Sequence, residues 1–567
     1  MPSWLQRLTT HRRWIPLVVM LMCAPALLGG LELDDLFHAL HAGDPGFLGS
    51  AFTFYGDGPR PAFVSAADQP WWTEPGMRLD LLRPLAALTH WLDFRLWPGA
   101  PWLMHLHSLL WYGLLVALVG RAQRVLGGSP ERASLAALLF GLAQIHGMNV
   151  GWIAARNSLM GAALVLGALL LHRRWRAEGW GLGALLGPLA FGGALLSNEG
   201  AVAGLGLLAA YALVLDGQRS RFVALLPYLI LVIAWRVGYE TAGYGAAHTG
   251  IYLDPATDPL AYGLRTIVNG AVMLAACLGL GVLDGLGALP GATLVAFVGA
   301  VPFLALLAWL TRDALRDDPS LRMWTLGAGL SCVTAGTSVP TDRGLLLMSA
   351  ATSALLAALV LRAREPAASR LARVVGRGLL VLHLLLALLL PLRVGTTRWI
   401  HGRVEAIADA LAGPPGSPAI AEQTVVLLNA PSDLVMLYSR AIAQRDGRPF
   451  PARVEYLYAG AGELTVHRAT EHTLELESTR PWLVAPLDRM LRSDLAFAPG
   501  QRFERPCLTV EIVATSPDSL PTRVRVDLHV QRPGCRLRAM IWRGEVPEPA
   551  ELPALGSSMV LAPITVP

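Results

Sequence analysis

Between residues 14 and 392 the sequence returns again and again to apolar runs of membrane-crossing character. They lie at 14–31, 101–119, 135–150, 159–171, 181–196, 201–215, 223–237, 292–310, 323–339, 345–361 and 379–392. A hydrocarbon core about 30 Å thick asks for roughly 20 apolar residues per helix, so the shorter runs must extend into their flanks. Across all 567 residues, 54% are hydrophobic and only 15% charged, with 57 glycines besides. A core surrounded by water could not enclose that much apolar surface, so lipid must cover the rest. The first run reads as a retained signal-anchor helix, because it is long and no A-x-A-like site closes it; a cleaved signal peptide is the alternative.

Arginine gives these runs a direction. The chain has no lysine, so all 46 Lys+Arg positions are arginine. Arg7, Arg12 and Arg13 precede the first run, which puts the N-terminus in the cytoplasm, since cytoplasmic flanks are rich in basic residues. Counting onward, five clusters fall on that same side: Arg121, Arg124 and Arg132; Arg173, Arg174 and Arg176; Arg219 and Arg221; Arg312, Arg316 and Arg322; Arg362, Arg364, Arg370, Arg373 and Arg377. The agreement requires that the apolar stretch 261–283 not cross. Gly263, Asn269, Gly270, Gly279, Gly281 and Gly285 interrupt it, and Asp254, Asp258 and Arg265 crowd its start. It reads as a helix lying in or dipping into the outer interface, with a twelfth span as the competing view.

The expected fold is therefore an α-helical polytopic membrane protein of about 11 spans plus one interfacial or re-entrant helix. This membrane domain covers residues 1–400, with a first outer loop at 32–100 that carries amphipathic helices. Residues 401–567 form a soluble domain on the outer, periplasmic side of a bacterial inner membrane. In that tail TVVLLNA reads as a buried strand and PSDLVMLYSRAIAQR as the helix after it. RVEYLYAG, LTVHRAT, TLELES, CLTVEIVATSP, RVRVDLHV and CRLRAMIWRGE read as further strands. The order suggests a small α/β unit running into a β-rich one. The turn at 429–433 lacks a Gly-rich phosphate loop. Cys507 and Cys535 are the only cysteines of the tail; a disulfide and two free buried thiols are equally compatible with it. A net charge of +5, with the arginines set beside apolar runs, excludes nucleic acid as the natural partner.

Ionisable groups near a membrane are costly, so their clustering on the outer side is informative. Directly after the first run stands LELDDLFHALHAGD. Adjacent carboxylates at the end of an apolar helix suit general-base activation of a hydroxyl or amide, so Asp34 and Asp35 are the candidate catalytic residues; an acidic water boundary is the plainer alternative. The loop goes on to present Trp71, Trp72, Arg83, His90 and Asp93. His38 and His41, one turn apart, are weak metal candidates together with Asp34 or Asp35, and no other cofactor is implied. In the next apolar stretch His105 and His107 stand inside a helix, while Trp91 and Trp97 suit an interfacial anchor. His146, Arg156 and Asn157 share one outer turn, Glu199 lies in another, and Asp342 with Arg343 in a third. Arg156 and Arg343 run against the inside bias, and guanidinium groups held there suit a phosphate at headgroup level; ion pairing with Glu199 or Asp342 is the alternative.

Taken in order, these segments resemble the C-type glycosyltransferase superfamily (GT-C), in its protein O-mannosyltransferase-like branch. Its members use an acidic residue in the first outer loop, where Asp34 and Asp35 stand. LRPLAALTHWLDFRLWPGAPWLMHLHSLLW looks like the family's Arg-Pro-Leu stretch, with Arg83 in place and His105 entering the second span. HGMNVGWIAARNSLM is similar to a His…Val…Arg-Asp-Leu segment, with His146 and Arg156 kept and Asn157 replacing the acid. LLSNEGAV resembles a Ser-Lys-Glu segment that keeps Glu199 but has Asn198 where lysine is usual. TDRGLLLMSAA is similar to a late arginine segment and keeps Arg343. The resemblance implies transfer of a sugar from a polyprenyl-phosphate carrier to an extracytoplasmic acceptor of unknown kind. Asp34 or Asp35 would act as base, and Arg83, His105, His146, Arg156, Asn157, Glu199 and Arg343 would hold substrate and phosphate. Partners would be that donor and the membrane lipids. A lipid-linked glycan transporter, or a scaffold whose tail binds a periplasmic partner, are the alternative functions.

Overall fold

The computed structural model describes residues 12–56, 58, 60–413, 418–432 and 436–564. Arg7 and residues 433–435 of the tail's first turn lie outside them. Five described helices are long and apolar enough to cross a membrane: Pro101–Val125, Ile153–Glu178, Val223–Thr241, Pro259–Cys277 and Ala292–Asp317. Pro130–Gly141 and Gln144–Gly151 make a sixth if taken as one span bent by 52°. Gly183–Leu195, Glu199–Val214 and Leu346–Arg362 are apolar but shorter. The eleven expected runs thus do not become eleven long helices. The first is typical: Ile15–Met22 is α-helical, and Pro25 helps turn the remainder into a 3-10 segment, Ala24–Leu28.

Ion pairs gather the arginine clusters at one end of the bundle. Arg132 meets Asp318, Arg364 meets Glu131 at 2.5 Å, and Arg362 meets Asp313 at 3.4 Å. Arg176 meets Asp216 at 2.7 Å and donates to the Ser220 hydroxyl. The C-terminal domain meets the rest of the chain elsewhere, at Asp34 through Tyr438 and at Gly250 through Arg489.

The chain on either side of the stretch 261–283 touches that domain. Ahead of it, the Gly250 amide donates to the Arg489 carbonyl at 2.8 Å; beyond it, Gly287 abuts the Leu487 side chain. Both contacts are to one segment of the soluble domain. The residues between Cys277 and Gly287 form no second long helix that could return a crossing chain. Pro259–Cys277 is itself long and apolar enough to count among the candidate spans. Its polar face is held by Asn269, which donates to the Ala335 and Ser338 carbonyls, both at 2.9 Å.

Helix Pro84–Leu96 inverts the expected amphipathic pattern. Its apolar stripe Leu88, Leu92 and Leu96 is exposed, while His90 and Asp93 are buried. An exposed leucine stripe with a polar face turned inward fits a helix edged by lipid.

The soluble domain contains two sheets. A four-stranded one runs Val546–Pro549, Arg536–Arg543, Gln423–Leu427, Arg453–Tyr456, with the first pair antiparallel and the other two parallel. Five strands of a six-stranded antiparallel sheet lie between the first sheet's second and third strands in sequence, Arg453–Tyr456 and Arg536–Arg543, and the sixth, Ser558–Leu561, follows its last. The α/β and β-rich units are thus interleaved instead of consecutive. Each expected strand forms, but the helix expected over 431–445 is described only as Ser439–Arg445. Cys507 and Cys535 form a disulfide with Cα atoms 5.4 Å apart, fastening one sheet to the other.

The first outer loop is woven into this domain. Trp71 and Trp72 are buried in the core that the strands build, and Trp71 donates its indole N–H to the Leu457 carbonyl at 3.1 Å. Glu74 accepts from the amides of Ser493 and Asp494 at 2.7 and 2.8 Å. The tryptophans expected to face a site serve instead to dock the loop.

Candidate active site

The expected site residues lie in the loop after the first apolar run and at helix ends, one of them bonded to the C-terminal domain, but the structure divides them. Helix Asp34–His41 starts from Leu33, whose φ of 53° is a left-handed conformation that a leucine adopts only at a cost of about 1–3 kcal/mol. Two hydrogen bonds to Asp35 stabilise the start: its Oδ2 accepts from the Glu32 amide at 3.0 Å and its Oδ1 from the Ala154 amide at 2.8 Å. The Ala154 amide is free to donate because the helix before it ends at Gly151 in a bend, leaving first-turn N–H groups without helical partners. Asp35 is fully buried and holds two backbone segments together. Burial, outweighing those bonds, keeps its carboxyl well above the usual carboxylate range.

Asp34 is placed differently. It is partly exposed, and its Oδ1 accepts from the Tyr438 hydroxyl at 2.7 Å. Burial pushes its pKa up to about 6, against the lowering effects of that hydrogen bond and of Arg343 and Arg83 nearby. A partly exposed carboxylate tuned toward neutrality is what a general base requires. Of the two adjacent aspartates, Asp34 is the one open to chemistry.

The arginines divide in the same way. Arg343 is exposed and lies over the Trp152 ring, 5.2 Å from its centroid. Among the described residues it makes no ion pair. Trp152 in turn donates its indole N–H to the Glu32 carbonyl at 3.1 Å, so the guanidinium rests on a platform anchored two residues from Asp34. Arg83 pairs with Glu199 through Nε and Nη2, both at 2.8 Å, and lies 5.0 Å from the Phe52 ring centroid. Glu199 thus balances Arg83, with both side chains partly exposed.

Arg156 is committed elsewhere. It is fully buried, pairs with Asp93 at 2.6 Å, and donates to Ser108, Thr89 and the Met104 carbonyl at 3.0, 3.3 and 2.8 Å. Nothing of it is presented to a phosphate, so the expected ligand contact is replaced by a sealed ion pair. Asn157 donates to the Ala154 carbonyl and accepts from Asn198, each at 2.7 Å, and so braces two span ends. His105 and His146 are also fully buried. His105 Nε2 lies 3.0 Å from the Gly30 carbonyl oxygen, and His146 Nδ1 lies 3.0 Å from the Tyr112 hydroxyl. Both act in packing.

The weak metal candidates do not converge. His38 Nε2 is 2.8 Å from the Ala51 carbonyl and its ring stacks on His90 at 4.6 Å, while His41 pairs with Asp44 at 2.7 Å. Among the described residues no group of three His, Cys, Asp or Glu is arranged to hold an ion. Asp342, expected beside Arg343, turns to Arg393 at 2.8 Å, and Arg393 also binds Asp284. That cluster secures the junction where the chain leaves the bundle; beneath it the Gly151 and Gly147 backbones touch Val394 and Arg393 so closely that any Cβ would collide.

Two residues had escaped the sequence reading, Tyr438 and Trp152. Both are ordinary aromatics in their own segments, and only the fold brings them to Asp34 and Arg343.

No family model matches the sequence, and no curated protein does. Among solved structures, the chain is similar to the Archaeoglobus fulgidus oligosaccharyltransferase, solved tethered to an acceptor peptide with the NVT sequon. That likeness has 12% identity and a TM-score of 0.43, over 80% of this chain and 64% of the other. The chain thus spans just under two thirds of that protein's length. It is also similar to ArnT from Cupriavidus metallidurans, solved bound to undecaprenyl phosphate, at 15% identity and a TM-score of 0.33, over 66% of this chain and 80% of that one.

Proposed function

We propose that the protein is a membrane glycosyltransferase of the C-type superfamily, moving a sugar from a polyprenyl-phosphate carrier to an acceptor on the outer side of a bacterial inner membrane. The observation that carries this reading is the pairing of a tuned, partly exposed carboxylate at Asp34 with an unpaired guanidinium at Arg343, at the membrane's edge. Asp34 takes the proton from the acceptor's O–H or N–H as the acceptor bonds to the anomeric carbon. The bond from that carbon to the phosphate oxygen breaks, and Arg343 neutralises the charge left on polyprenyl phosphate, with Arg83 as a second positive group. Stabilising developing charge in a site of low dielectric is the dominant catalytic effect in such a transfer.

The periplasmic placement of the soluble domain is supported by the Cys507–Cys535 disulfide, a bond that persists in oxidising compartments. It is supported too by the placement of the arginine clusters beside the apolar runs of the sequence. The test is to supply the protein, in lipid, with a panel of polyprenyl-phosphate-linked sugars and measure release of polyprenyl phosphate in the presence of periplasmic extract. Release by the wild type, with Arg343→Ala raising the donor KM, supports the reading. No release from any donor in the panel contradicts it.

A further inference from the structure

The acidic end of the site is closed by a group from the other domain. Tyr438 precedes helix Ser439–Arg445, which sits beside helix Asp34–His41. Its ring stacks against Phe37 with centroids 5.4 Å apart, and its hydroxyl reaches Asp34 Oδ1 at 2.7 Å. Asp34 is faced by Arg343 and Arg83 from two other elements, and by its neighbour Asp35 from its own. Among these, Tyr438 is the group with a hydrogen bond to the Asp34 carboxylate.

From this geometry we infer that Tyr438 is a positioning residue: it holds the Asp34 carboxylate in one orientation and in its charged form, making the soluble domain part of the active site. Two features support it. Burial drives the phenol's own ionisation far above its usual range, so the hydroxyl remains a donor at every working pH. A donor aimed at a carboxylate favours the ionised form. With the Tyr438 hydroxyl on Oδ1, the acceptor proton is assigned to Oδ2. The inference rests on the proposed role of Asp34, but its test does not require a substrate.

A hydrophobic carbodiimide modifies carboxyl groups only when they are protonated. The full-length protein in lipid is treated with it across pH 4–9, and the Asp34 peptide is read by mass spectrometry, with Asp34→Asn as the blank. Tyr438→Phe keeps the ring and loses the hydroxyl; it is expected to move the labelling midpoint of Asp34 upward by about one pH unit. Phe37→Leu removes the ring contact and keeps the hydroxyl, and is expected to leave the midpoint in place. An unmoved midpoint in Tyr438→Phe overturns the inference, as does an equal shift in Phe37→Leu, which would assign the effect to packing. Either failure leaves the transferase reading to be decided by its own donor assay.

Discussion

At Asp93 the carboxylate meets Arg156 at 2.6 Å and His107 at 2.9 Å, and Arg156 gives its other donors to Ser108, Thr89 and Met104. At Asp34 the carboxylate has a phenol from another domain, and two guanidinium groups stand nearby without bonding to it. Both places offer an aspartate and an arginine near the outer ends of the helices. The first is sealed and internally satisfied, so it stabilises the fold; the second is partly open and incompletely paired, so a ligand can complete it. Residue type does not separate a structural ion pair from a reactive one, whereas the state of its partners does.

That contrast is exposed by substitutions, the largest first. Asp93→Ala strands the buried Arg156 charge and should destabilise the protein by about 3–5 kcal/mol, read as a fall in the thermal midpoint of the solubilised protein. An unchanged midpoint would remove the distinction between the two sites. Asp34→Asn should do the reverse above pH 6. The folded pKa of Asp34, about 6, lies above the ordinary aspartate value of 3.8, so its protonated form favours the fold. That contribution is full below about pH 4 and lost as pH rises through 6. Relative to wild type, Asp34→Asn should therefore gain up to about 3 kcal/mol between pH 4 and pH 7. A pH-independent difference would contradict the placement of Asp34.

Asp35→Ala leaves the Glu32 and Ala154 amides without acceptors, at about 1–3 kcal/mol. Hydrogen exchange at those two amides should accelerate with it, and unchanged protection would show that Asp35 does not hold them. Arg343→Ala loses one exposed ring contact and should cost less than about 1 kcal/mol. A larger loss of stability would make Arg343 structural, like Arg156.

Much of this architecture is legible before any coordinates. The apolar helices of the first part and the change to strands near the C-terminus follow from local composition, which is what lipid reads. The strands of the tail follow from alternation. What stayed hidden depends on distant partners. Asp34 and Asp35 are indistinguishable as neighbours, because the amide that fixes Asp35 is 119 positions away and the phenol that meets Asp34 is 404 away. Arg156 and Arg343 look alike until Asp93 is seen to claim one of them. Trp71 and Trp72 appear in a loop beside polar residues, and only the strands of the other domain make them core. The parallel pairing of Gln423–Leu427 with Arg536–Arg543 joins the two ends of the domain, and no local pattern carries that.

The central claim is that Asp34 is the reacting carboxylate, and the most direct test is the transfer rate of Asp34→Asn in a protein shown to be folded by its thermal midpoint. Loss of a general base predicts a fall of about 10²–10⁴-fold in kcat, with the midpoint at pH 7 unchanged or raised. Transfer within a few-fold of wild type, from a folded Asp34→Asn protein, would contradict the account.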